Sequence, residues 1–159
     1  PQYIHQVRLG LTTSVLVDEE EVKTTWATYP LSVHLEVAPH TFYPVPFSWV
    51  LPEDLPMSTG NIAWELDAAV TVRYESQPLA VEVLPHPIVA AVNDSFEQLG
   101  FQIFNSCISA IQEATYQRLP YAQQFEWRPE EGEFAGKLEQ VLVTVLPKSE
   151  LITFYMEID

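Results

Sequence analysis

Between Ile62 and Val72 every second residue is apolar: Ile62, Trp64, Leu66, Ala68, Val70 and Val72. This is the longest period-two run in the chain, and it constrains the fold more than any other feature. A strand turns alternate side chains to opposite faces, so all six would line one buried face. In a helix the same residues would scatter, with Trp64 and Leu66 pointing in nearly opposite directions.

Other segments repeat the pattern. Tyr3, Val7, Leu9 and Leu11 interleave with Gln2, Gln6, Arg8 and Gly10, and the β-branched stretch Val22 to Trp26 follows the acidic run Asp18 to Glu21. That run reads as a solvated hairpin tip, because it lacks the alternating oxygen ligands of a calcium loop. Val33, Leu35 and Val37 share a face opposite His34 and Glu36. Pro44 to Pro56 is expected to be extended, with Phe47, Trp49 and Leu51 on one face and Pro46 and Pro52 keeping the strand short. Further strands are expected at Leu79 to Val83, Phe101 to Ile111, Ala122 to Arg128, Leu138 to Leu146 and Leu151 to Ile158.

One segment breaks this period. Pro87 suits the first turn of a helix, Ile88, Val89, Val92, Phe96 and Leu99 follow at helical spacing, and Gly100 supplies the stop. The helix is therefore expected over 86–99. Roughly ten strands and one helix in a chain of this length predict an all-β protein of two small sandwiches. The division is expected near Ser76-Gln77-Pro78, giving an N-terminal domain over 1–78 and a C-terminal domain over 79–159.

Charge excludes whole classes of partner. The chain has 22 Asp and Glu against 7 Lys and Arg, a net charge of −15, and its basic residues are scattered. They cannot form the positive stripe that nucleic acid requires. An anionic membrane would repel the same surface. The acidity serves solubility or offers a face to a basic partner. The single Cys107 excludes an intramolecular disulfide and favours a reducing cytoplasm. No run reaches the roughly 18 apolar residues of a membrane span, so no membrane insertion is expected. Pro1 stands where a start Met would be, which is compatible with a lost natural start and targeting segment.

Residues that could carry chemistry do not converge. His5, His34, His40 and His86 lack metal-ligand spacing, and His86 between Pro85 and Pro87 suits a structural place at the helix start. Cys107 lies in an apolar strand, where a buried, inert thiol is expected. Glu126 between Phe125 and Trp127 is the best carboxylate candidate, but alternation puts it on the opposite, solvated face. Five glycines build no phosphate loop, nucleophile elbow or dinucleotide fingerprint. Trp26, Trp49, Trp64 and Trp127 alternate in phase with aliphatic residues, which favours core packing over sugar stacking. The reading is a protein with no catalytic residues, no cofactor and no metal.

Several ordered motifs resemble the SpoOM sporulation-control family. They are Pro46-Phe47-Ser48 with Leu51-Pro52 and Pro56, then Trp64-x-Leu66, then Val83-x-Pro85-His86-Pro87 and Leu99-Gly100-Phe101. Leu119-Pro120-Tyr121-x-Gln123-x-Phe125-Glu126-Trp127 and Phe134-x-Gly136-Lys137-Leu138-Glu139-Gln140-Val141 complete the series. Together they span roughly Tyr43 to Val145. Gln112 to Arg118 bears little likeness to the family's usual connection. Family members also carry residues ahead of the strand matching Gln2 to Thr13, which implies a first sandwich short of its initial strands.

The resemblance implies two arrestin-like β-sandwich domains in a cytoplasmic, non-enzymatic regulatory protein. Such a protein would act through contacts with other proteins and through self-association, as a dimer. A different class of function, an extracellular carbohydrate- or small-ligand-binding sandwich, would require at least one Trp exposed in a groove.

Overall fold

A computed structural model describes residues 2–71, 74–110, 121–148 and 151–159. The described chain is mostly β, with a single α-helix. It divides into two compact units that interleave along the sequence.

The first unit comprises Pro1–Thr13, Lys23–Pro52 and Trp64–Val81. Its sheet is built from most of β1 (Gln2–Val17) and β2 (Glu20–Val37), with β3 (Trp64–Thr71), β4 (Tyr74–Glu75) and β5 (Leu79–Val81). β1 lies between β2 and β3, and both β4 and β5 pair with β3. The polar break at residues 76–78 falls between β4 and β5. Sequence reading expects two separate strands, Val22 to Trp26 and Ser32 to Val37; the structure joins them into β2. Pro30 is tolerated there because β2 is an edge strand that pairs with β1. Val33 is buried while His34 and Glu36 are exposed, as the alternation predicts.

Leu9, Leu11, Trp26, Val33 and Trp64 form the buried centre, and the rings of Trp26 and Trp64 meet edge to face at 5.6 Å. Gly10 stands opposite Asp67 in the β1–β3 ladder, where a Cβ would come within 2.7 Å of the Asp67 carboxylate. The long alternation holds at Ile62 and Trp64, which are almost fully buried, and then fails. Leu66 and Ala68 are only partly buried, Ala69 is buried and Val70 exposed, and the β3–β4 register shifts between Ala69 and Thr71. Val72 lies outside the described residues.

The strand expected over Pro44 to Pro56 is absent: 41–52 joins no ladder among the described residues. Pro44, Pro46 and Pro52 supply no N–H, which removes three backbone donors from one edge. Trp49 is held instead by stacking on Tyr29 at 5.8 Å.

The second unit comprises Ser14–Val22, Glu53–Ala63 and Glu82–Asp159. Its sheet runs from the end of β1 through β6 (Phe101–Ala110), β7 (Tyr121–Pro129), β8 (Val141–Lys148) and β9 (Leu151–Ile158). The predicted strands are present with small shifts: Leu138 lies before β8 in an isolated bridge with Ala135, and Ile111 is outside the described residues, as is Gln112 to Arg118. The acidic run is the β1–β2 turn as expected, with Asp18 and Glu19 both at positive φ.

One face of this sheet carries the core: Phe101, Phe125, Trp127, Val141, Val143 and Val145 pack with Val89 of α1 (Pro87–Gln98). Phe96 of α1 stacks on Trp127 at 4.9 Å and meets Phe101 edge to face. The helix begins and ends where the sequence predicts. His86 caps it, its Nδ1 accepting from the Ile88 N–H at 3.2 Å, and Pro87 fills the first turn. Gly100 then adopts φ 86° and donates to the Glu97 carbonyl.

Candidate interaction edge

β9 is the last strand of the second unit's sheet, and among the described residues it pairs only with β8. Asp159 and Gln140 exchange backbone hydrogen bonds across the end of this ladder. In an antiparallel pair, hydrogen-bonded positions alternate with non-bonded ones. Counting back from Asp159, residues 157, 155 and 153 direct their backbone groups to β8. Ile152, Phe154, Met156 and Ile158 therefore direct theirs outward, as a row of donors and acceptors ready for another strand.

The side chains fit the same reading. Ile152 and Phe154 pack against the core, so alternation puts Met156 and Ile158 on the core face too. Yet Met156 is 53% exposed and Ile158 64% exposed. On the opposite face Leu151 and Tyr155 are exposed as well. An apolar strand with both faces incompletely covered and one edge open can accept an extended segment by β-augmentation. Glu157 and Asp159 make this end of the strand acidic.

The residues weighed for chemistry lie apart from this edge and from one another. His86 is the helix cap. His5 and His34 are cross-strand neighbours in the first unit, their rings 5.9 Å apart edge to face. The β1–β2 hairpin makes this pair, and sequence spacing gives no signal of it. His40 sits in a turn at positive φ. Among the described residues, no three of His, Cys, Asp and Glu gather as a metal site would require.

Two expectations need correction, and a bulge in β6 explains the one at Cys107. The β6–β7 register shifts between Ile103 and Asn105. Phe104 is the extra residue and is 59% exposed; beyond it the faces reverse, so Ser106 and Ile108 are buried and Cys107 falls on the outer face. Cys107, expected to be buried, is only partly so, and its Sγ lies 3.4 Å from Ser109 Oγ on the polar face. Glu126, expected to face solvent, is partly buried and ion-paired to Arg128 at 2.6 Å. The Arg128 guanidinium in turn covers the Phe104 ring at 3.3 Å. This outward stack of Phe104, Arg128 and Glu126 has no counterpart in the sequence pattern.

Concave space varies widely: open clefts of about 430 Å³ beside Glu97 and Glu131 and about 410 Å³ beside Asn61, Ser106 and Cys107 stand against one small cavity. The cavity lined by Asp54, His86, Tyr121, Gln123 and Ile152 holds about 30 Å³, the room of a single water. Gln123, buried beside it, is used up in holding Met57: it accepts from the Met57 N–H and donates to its carbonyl. Trp26, Trp64 and Trp127 are buried, and Trp49 is stacked on Tyr29, so the described tryptophans do not form an open sugar platform. Among the described residues, no helix is long and apolar enough to cross a membrane.

Comparison with known proteins gives a consistent result. The family model described as SpoOM protein matches residues 1–159. The sporulation-control protein spo0M of Bacillus subtilis (strain 168) is 25% identical over 167 residues, covering 99% of this chain. The chain spans 64% of that protein's length. The crystal structure of Spo0M, sporulation control protein, from Bacillus subtilis matches with a TM-score of 0.81 at 23% identity, over 99% of this chain and 67% of that one.

Proposed function

This chain belongs to the SpoOM protein family, and from that premise we propose that it is a non-enzymatic regulator acting through protein–protein contacts. The observation that carries the proposal is the open β9 edge, with outward backbone groups at Phe154 and Met156 and exposed apolar side chains on both faces. The name of its Bacillus relative supports control of sporulation or of a comparable change of cell stage. The absence of any convergent catalytic set among the described residues is compatible with this reading.

The architecture that goes with it is two arrestin-like sandwiches, over 1–78 and 79–159, in a cytoplasmic protein that also self-associates. Partner proteins would add a strand to β9 and cover Met156 and Ile158. Net charge of −15 favours a partner whose added segment is basic at the end that meets Glu157 and Asp159.

Met156→Pro is the discriminating variant. It removes one outward N–H while leaving the β8–β9 hydrogen bonds intact. Proteins captured from the source cell by the wild type and lost by Met156→Pro, with an unchanged melting temperature, are the expected outcome. Equal capture by both would overturn β9 as the contact.

A further inference from the structure

β1 changes neighbours partway along its length. It pairs with β3 as far as Thr13, opposite Trp64, and meets β6 in parallel at Leu16, opposite Ser109. Ahead of that bridge no ladder joins β1 to β6 among the described residues, and an open cleft of about 410 Å³ lies there. Val15, Ile62 and Ile108, each 3% exposed or less, close its floor. The segment 58–62 is tied to β6 at its side: the hydroxyls of Thr59 and Ser106 share a hydrogen bond, and the Asn61 amide donates to Asn105 Oδ1. Asn105 Oδ1 also accepts from the Ser106 N–H at 2.9 Å. A side chain, and not a neighbouring strand, therefore satisfies this part of the β6 edge.

The rim has a defined chemistry. Asn61 and Asn105 spend one N–H₂ and one oxygen on each other, so the Asn61 Oδ1 and the Asn105 Nδ2 are left as an acceptor and a donor side by side. The Ser14 hydroxyl stands on the same rim. The turn at Asp18 and Glu19 returns β2 along β1 and brings Glu21 there too. Of the described residues lining the cleft, Glu21 alone is charged, and it takes part in none of the described ion pairs.

Each of these features selects a ligand group. A neighbouring acceptor and donor match adjacent hydroxyls, since each hydroxyl both donates and accepts. A carboxylate with no basic neighbour matches an ammonium. The field of a chain carrying −15 gathers cations and turns anions away. The volume falls within the roughly 300–1,000 Å³ of small-molecule sites, which likewise combine apolar walls with a few placed polar groups.

We propose that the cleft between β1 and β6 binds a small hydroxylated ammonium ion, an amino sugar being the simplest kind. Its nitrogen lies at Glu21 and its adjacent hydroxyls on Asn61 and Asn105. Leu16, only partly buried, supplies apolar surface for the C–H face of the ring. The cleft shares no residue with β9, so the reading of that edge stands or falls separately.

Titration of the isotope-labelled chain, followed by its amide chemical shifts, tests the site with glucosamine, glucose and glucuronate at about pH 6, where the amine is charged. Glucosamine should move the amides of 14–16, 61–62 and 105–108 saturably, and bind about two- to fivefold more tightly than glucose, as one exposed ion pair allows. Glucuronate should not bind. Glu21→Gln should bring glucosamine down to the affinity of glucose while leaving glucose within about twofold of its wild-type value. Asn61→Ala should weaken both sugars. Should Asn61→Ala lower the melting temperature, the exposed Glu21→Gln still decides the matter. Absence of saturable shifts at these amides up to about 100 mM glucosamine would overturn the proposal. So would equal affinity for glucosamine and glucose in the wild type. Shifts scattered over the acidic surface and unaltered by Glu21→Gln would show diffuse attraction of a cation, and no site.

Discussion

At the level of single residues, two positions show how backbone demand and charge act locally. Gly100 ends α1 at φ 86°, and a Cβ there would overlap the Glu131 carbonyl oxygen. Gly100→Ala should cost about 2–4 kcal/mol, the left-handed conformation and the backbone clash acting together. Urea denaturation would measure it; a loss below about 0.5 kcal/mol would mean that the loop at Glu131 gives way freely. Lys23 illustrates the second. Its hydrogen bond to Glu65 raises its pKa, desolvation opposes this, and the charges of Glu65 and Asp67 add to the rise. A lysine whose pKa is raised by folding contributes stability that is fully present below its unfolded value and is lost as pH rises through the folded one. The stability difference between wild type and Lys23→Gln should therefore stay constant from about pH 7 to 9 and shrink above about pH 10. Shrinkage already complete by about pH 8 would rule the pair out as its cause.

Elements differ in how well sequence announces them. The helix was fully legible, because His86, Pro87 and Gly100 each meet a separate demand of a helix end. The β1–β2 hairpin was legible from its acidic break, although its turn departs from the usual chemistry. Asp18 and Glu19 both take positive φ, where Asn-Gly is preferred. Glu19→Gly should raise stability by about 1 kcal/mol, measurable as a shifted urea midpoint; an unchanged or lower midpoint would mean that the turn holds Glu19 without strain. The bulge in β6 was not legible. One inserted residue reverses every later face, and Phe101-Gln-Ile-Phe reads equally well without it. This is why Cys107 lies on the outer face and not in the core. Phe104→Ala should cost about 0.5–1 kcal/mol through loss of the guanidinium–ring contact, and the cost should vanish in an Arg128→Gln background. An undiminished cost there would assign Phe104 a different role. The open edge of β9 was equally hidden: alternation identifies a strand, but ladder neighbours decide whether it is an edge.

For the molecule as a whole, charge is the property most directly readable from sequence, and its consequence for stability is physical rather than specific. Twenty-two acids against seven bases leave few opposite-charge partners, and the ion pairs described are Lys23–Glu65, Arg128–Glu126 and Lys137–Glu133. Most carboxylates thus meet only like charge, and folding brings them closer together. Screening should then stabilise the compact state. Between about 10 and 150 mM salt the screening length falls from about 30 to 8 Å, shorter than most distances across a domain. The melting temperature should rise over that interval and level off beyond it. Self-association would give a similar rise, since a bound second copy also stabilises the fold in proportion to concentration. The two causes separate cleanly. The charge effect should persist at the lowest protein concentration, whereas an effect of association should disappear there. A melting temperature that falls with salt would show instead that the three ion pairs outweigh the repulsion of the remaining carboxylates.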